Sequence, residues 1–255
     1  MGLDIYAGTL VRYYAQNWES VVQKWAKQNG YQFSRITSGG EAADGERPEV
    51  EDVTAAVGEW QQAIGSFLTG AGLPFQPWAE DNHSPYYTDK PDWDAFGALL
   101  LFGACRYYGE PLPPTVERGW NFFLHPIVKR AIADPELNWS LFSGAELWLP
   151  LDGCYSFGGV DPSHKQRTIS TVEALLLELS QLNELSWNAD EETILSWADT
   201  EGYPAIPWQE EGLGLDEAHR AQAYDTESLA KFALSILFRA GLFAAAHHVP
   251  VLMDY

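Results

Sequence analysis

Apolar residues recur at helical spacing along most of the chain. Trp18, Val21, Val22 and Trp25 stand at i, i+3, i+4 and i+7, which predicts an amphipathic helix capped by Asn17 and closed by Gly30. Val53, Val57, Trp60, Ile64 and Phe67 predict a second helix, ending near Gly70. From about Asp92 to Tyr108, with Trp93, Phe96, Leu99, Leu100 and Leu101, the pattern is apolar nearly all round, as in a central helix, and Pro111, Pro113 and Pro114 stop it. A short helix over 127–133 ends before Pro135. Ser170, Thr171, Val172 and Glu173 read as a capping box, with Leu175, Leu176, Leu179 and Leu182 on the helix behind it. A shorter helix over 191–198 follows. The last begins near Asp225 or Thr226 and runs to Ala246, with a polar stripe of Glu227, Lys231, Ser235 and Arg239 at i, i+4 spacing.

Strand signals are fewer. Residues 3–6 read as a strand ended by Gly8, and 31–36 alternate apolar with polar. The order strand, helix, strand hints at a βαβ unit. Residues 146–151 and 154–157 read as short strands, and 249–253 as an edge strand. Residues 37–52 form an acidic loop, 73–91 an irregular Pro- and aromatic-rich connection, and 199–224 an irregular acidic segment. With no flexible linker or repeat in view, the expectation is α+β: a single helix-rich domain, 1–255, with a small mixed sheet.

Charge changes the picture more than composition does. Asp and Glu total 36 against 15 Lys and Arg, a formal net charge of −21, yet charged residues are only 20% of the chain, so scarce bases cause most of the imbalance. That scarcity argues against direct nucleic-acid binding, which needs clustered Lys and Arg on phosphates. It argues equally against an anionic membrane surface. The stretch 229–246 carries Lys231, Ser235 and Arg239 and falls short of a span. No secretory signal is visible at Met1-Gly2-Leu3-Asp4, and two cysteines make no disulfide framework, so a reducing cytoplasm is expected. The abundant Trp, Tyr and Phe exclude a disordered chain. Solubility or adaptation to salt would produce the same charge balance.

Catalytic motifs are mostly missing. No Gly-Lys pair exists for a phosphate-binding loop. Gly212-Leu213-Gly214 opens like a dinucleotide fingerprint, but Glu217 stands where the third glycine belongs. Asp4-Ile5-Tyr6 faintly resembles the opening motif of haloacid-dehalogenase-like phosphatases, with Tyr6 where the second aspartate is needed. Asp92 and Asp94 open like a calcium loop, but Phe96 and Gly103 fall at ligand positions. No two histidines stand at i, i+4, the adjacent His247 and His248 diverge, and Cys105 sits in an apolar helix where a thiol packs. The expectation is no metal and no cofactor. A carbohydrate or small-substrate enzyme using paired carboxylates stays open as the alternative, although no pair stands out.

The acids cluster. Residues 187–228 carry a net −10 and residues 41–52 a net −5, together 15 of the 21 net charges, and Trp187, Trp197, Tyr203, Trp208 and Tyr224 interleave with the first segment. Aromatic anchors beside directional charge are how tight protein interfaces are built. The candidate partner-binding residues are Glu41, Asp44, Glu46, Trp197, Trp208, Glu210, Glu211, Asp216 and Glu217. The pairs Tyr13-Tyr14, Tyr86-Tyr87 and Tyr107-Tyr108 cannot all face a core, so some phenols should reach the surface. In physical type the chain resembles immunity proteins of bacterial polymorphic and contact-dependent toxin systems, and Met1 to Tyr6 looks like the start of uncharacterised bacterial proteins. The first resemblance implies a non-enzymatic inhibitor that binds a basic partner, a cognate toxin or nuclease domain, and blocks it.

Overall fold

The β-branched and aromatic segments at 4–7 and 251–254 lie side by side at the centre of a sheet, although almost the whole chain separates them. The computed structural model describes residues 2–32, 36–37, 40–41, 47–204 and 223–255. Its elements, in chain order, are β1 (Asp4–Ala7), α1 (Leu10–Tyr14), α2 (Val21–Gln28), β2 (Ile36–Thr37), β3 (Gly40–Glu41), α3 (Val50–Gly70), β4 (Tyr87–Asp89) and α4 (Asp92–Tyr108). There follow β5 (Thr115–Glu117), α5 (Pro126–Ala133), β6 (Ala145–Leu149), β7 (Phe157–Val160), β8 (Gln166–Thr171) and α6 (Val172–Glu184). Then come α7 (Glu191–Thr200), β9 (Ala223–Asp225), α8 (Thr226–His247) and β10 (Val251–Asp254). The class is α+β. A mixed six-stranded sheet has the order β4-β1-β10-β6-β8-β7, antiparallel except for the parallel pair β6–β8. Two-stranded ladders join β2 to β3 and β5 to β9.

Contacts divide the chain into two compact units. One comprises 4–90, 145–174 and 240–255 and holds the six-stranded sheet. Here α3 lays Val53, Val57, Trp60, Ile64 and Leu68 on Leu147, Leu149, Ile169 and Leu252 of the strands. The 3.6-residue period places these five residues on one stripe and leaves Phe67, the expected fifth member, 52% exposed. The other unit comprises 1–3, 91–144 and 175–239. Its α4 is buried continuously from Ala95 to Cys105, as an all-round apolar helix must be.

Several local expectations are corrected. Ser20, not Asn17, caps α2: its hydroxyl accepts the Gln23 N–H while the Gln23 amide oxygen accepts the Ser20 N–H. Val21, Val22 and Trp25 lie on the exposed side of that helix. The first strands form no βαβ unit, because β1 pairs with β10 and β4 while β2 pairs with β3. Strand β10 is central, not an edge, and β4 and β8 arise in stretches read without strands. The helix over 226–247 is long and apolar enough to cross a membrane by length and composition, but 61% of its most apolar window is buried within the fold.

The expected capping box before α6 is divided between two tasks. Thr171, rather than Ser170, serves as cap: its hydroxyl accepts the Ala174 N–H and donates to the Gly153 carbonyl. The Glu173 carboxylate turns away to accept the Gly153 N–H. Thr171→Ala is therefore expected to cost about 1–2 kcal/mol, measured by denaturant unfolding, while Ser170→Ala spares the cap.

Candidate functional site

In the segment after Trp187, Asp190 caps α7 through the Thr193 N–H at 2.8 Å, and Glu191 and Glu192 occupy the exposed first turn, where negative charge favours the helix dipole. Ile194 and Trp197, three apart, face inward. The far end of α7 is fixed by the polar stripe of α8. The Ser235 hydroxyl accepts the Ala198 N–H at 3.1 Å and donates to the Leu195 carbonyl. Arg239 donates to the same carbonyl and to Asp199. Lys231 meets Glu227 at 3.3 Å and Glu201 at 3.8 Å. The i, i+4 stripe is thus a docking strip for a neighbouring helix, not a solvated face.

The interleaved aromatics point the other way. Trp187 stacks on Phe102 with centroids 4.2 Å apart and donates its indole N–H to Glu227. Trp197 is only 7% exposed and meets Trp187 edge-on. Tyr203 accepts the Ala95 N–H, and Tyr224 is buried. The exposed positions of this segment include the acids Asp190, Glu191, Glu192, Asp199 and Asp225 and none of its described aromatics. The helical period sorted acids outward and aromatics inward, so interleaving in sequence did not become interleaving on the surface. Of the other expected contact residues, Glu41 belongs to β3, while Asp44, Glu46, Trp208, Glu210, Glu211, Asp216 and Glu217 lie outside the described residues.

A cleft in the sheet-bearing unit, about 170 Å³, is lined by Pro74, Phe75, Gln76, Pro150, Leu151, Asp152 and His248. Glycoside hydrolysis needs two carboxyl groups across the scissile bond. This lining holds one, Asp152. Among the described residues no group of three or more His, Cys, Asp or Glu side chains could hold a metal. Both Asp94 oxygens accept the Gly119 N–H, a loop tether rather than a calcium ligand. Cys105 is buried, which pushes its thiol up, away from the nucleophilic thiolate.

Two carboxylates, Glu178 buried and Glu80 half-buried, escaped sequence reasoning. Glu80 accepts the Val11 N–H and the Trp78 indole N–H, and burial raises it to about 7 against those bonds. Glu178 accepts the Ser140 N–H, the Ser140 hydroxyl and the Leu141 N–H, and is likewise raised by burial to about 7. Raised acids can mark catalytic sites. Here, however, the oxygens are engaged by the chain's own amides and neither residue lines the cleft, so both read as internal fasteners. Glu178 carried a visible signal: it falls within the apolar stripe Leu175, Leu179, Leu182, where an acid must find partners.

The paired tyrosines are mostly anchors. Tyr13 donates to Asp254 at 2.6 Å and Tyr108 to Asp134 at 2.6 Å, whereas Tyr107 is 40% exposed. No family model, curated protein or solved structure matches the chain.

Proposed function

We propose that the chain is a non-enzymatic, acidic binding protein of the bacterial cytoplasm, an inhibitor or immunity protein that neutralises a basic toxin or nuclease domain by covering its surface. The observation that carries this reading is the sorting along 187–228: the described aromatics face inward and the acids of α7 face out, in a chain of net charge −21. A net acidic face accelerates encounter with a basic partner and repels wrong ones. The cleft lined by Asp152 holds a single carboxylate, one short of the pair that glycoside hydrolysis needs.

Affinity capture on the immobilised protein, from lysate of its own cell, should retain a basic polypeptide that salt releases. With that partner in hand, Glu210→Lys, Glu211→Lys, Asp216→Lys and Glu217→Lys together should slow association by about tenfold or more and flatten its salt dependence. Capture of only neutral or acidic proteins, or an unchanged rate, would sink the reading.

A further inference from the structure

The two edges of the six-stranded sheet are finished differently. Strand β4 carries Asp89 and runs into Lys90 and Pro91, a charged pair and a residue without an N–H, which discourage pairing with another strand. Strand β7, Phe157-Gly158-Gly159-Val160, carries neither charge nor proline, and among the described residues no strand pairs with its outer side.

Hairpin geometry gives the direction of its free groups. Residues 162–164 form a three-residue loop whose last member, His164, has φ 63°, and the Asp161 N–H donates to the Lys165 carbonyl at 2.9 Å. Antiparallel pairs alternate between bonded and non-bonded. Gly159 and Phe157 therefore bond to β8, and Gly158 and Val160 direct their backbone groups outward. The Trp60 indole donates to the Val160 carbonyl at 2.6 Å, in agreement with that direction. Among the described residues nothing pairs with the Gly158 N–H and C=O or the Val160 N–H, which are presented at the edge.

Two uncharged stretches of the sequence border this edge, with Asp161 and Lys165 following at the hairpin. Residues 60–79 contain no Asp, Glu, Lys or Arg, and neither do 154–160. Phe67 of α3, 52% exposed, lies 5.6 Å from the Phe157 ring. In a chain of net charge −21, like-charge repulsion is least at such a face.

We propose that the outer edge of β7, with the uncharged half of α3 beside it, is the contact through which a second copy of this chain pairs its own β7 antiparallel, across a two-fold axis at Gly158. The contact is self-complementary, as a two-fold interface must be. With the axis at Gly158, Phe157 stands opposite Gly159 of the second copy on the α3 face, and an aromatic ring covering a cross-strand glycine stabilises an edge. Ser156 stands opposite Val160 and uses its free N–H, leaving the Trp60 bond intact. Phe67 of each copy closes over the joint.

Light scattering on the purified full chain tests this. The expected result is a concentration-dependent species of twice 28.5 kDa. Phe67→Glu, at an exposed position, should weaken dimerisation by at least about tenfold. A Cβ at Gly158 meets nothing within 4 Å, so Gly158→Cys spares the fold. In a Cys154→Ser background a short bismaleimide should join the two thiols across the axis, since bonded antiparallel neighbours lie about 5.5 Å apart. A wild type of 28.5 kDa at every concentration overturns the proposal, including the case where a different protein supplies the strand. So does a dimer insensitive to Phe67→Glu, or one that Phe67→Glu dissolves but Gly158→Cys fails to cross-link. None of these readouts involves the acidic face of α7, so the two hypotheses fail independently.

Discussion

Glu178→Ala is expected to lower stability by about 3–5 kcal/mol, read by chemical denaturation. The carboxylate is 5% exposed and accepts two backbone N–H groups and a hydroxyl from residues 140–141. Removing it takes the acceptor from three donors inside the fold, each costing about 1–3 kcal/mol when left unmade, with partial relief as the loop relaxes. In a chain of this length each kcal/mol moves the melting temperature by about 2–4 °C, so a fall on the order of 10 °C should be visible. The pH dependence separates this account from a simple packing loss. Burial raises Glu178 from 4.5 to about 7 in the folded protein, so the protonated form is favoured there. Its contribution is full below the unfolded value and is lost as pH rises through about 7, a swing of roughly 3 kcal/mol. Glu80 shifts the same way in the other unit. The wild type should therefore weaken from about pH 5 to above 7, and Glu178→Ala should remove the share of that slope that Glu178 contributes. A slope unchanged by the substitution refutes the assignment.

Arg167→Met should cost about 3 kcal/mol or more, with the opposite pH signature. Arg167 bridges Glu146 and Asp161, and the Asp161 side chain is 1% exposed. Breaking such a pair from one side strands a buried charge, typically at about 3–5 kcal/mol. Asp161 also accepts the Ser163 and Lys165 N–H groups and the Ser163 hydroxyl, which soften the loss. Burial alone would raise Asp161, but hydrogen bonds from Ser163, Arg167 and Lys165 outweigh it and hold the carboxyl below 3.8. Its stabilisation is present above the unfolded value and disappears as pH falls through the folded one. The deficit of Arg167→Met should thus be largest near neutrality and shrink in acid. A deficit that grows in acid would point to lost packing instead.

Helices were legible where a long apolar period set them. The ends of α4, Asp92 and Tyr108, match the expected bounds, because prolines and Gly109 terminate a run with no competing pattern. Strand β4 was illegible, because three residues, Tyr-Thr-Asp, carry too little alternation to stand out and owe their conformation to pairing with β1. Partnership was illegible for the same reason: nothing local in residues 249–253 says that strands will flank both sides. In the candidate site, the acids of 190–199 were found from charge alone. The inward turn of Trp187, Trp197 and Tyr224 follows from the helical period and from tertiary packing, which a count along the chain ignores. Glu178 shows the converse, an acid whose place in an apolar stripe is itself a sign of burial.

The pairing of β1 with β10 sets a timetable for synthesis. Residues 4–7 emerge from the ribosome before the other described strands, yet their central neighbour is 251–254. At about 5–20 residues per second, residues 4–7 wait roughly ten seconds or more for that neighbour to be made. Closing so long a loop makes folding slow once the chain is complete. For that interval Ile5, Tyr6 and Ala7, fully buried in the finished sheet, have no finished sheet to enter. The growing chain is in this respect a client for whatever shields nascent apolar strands.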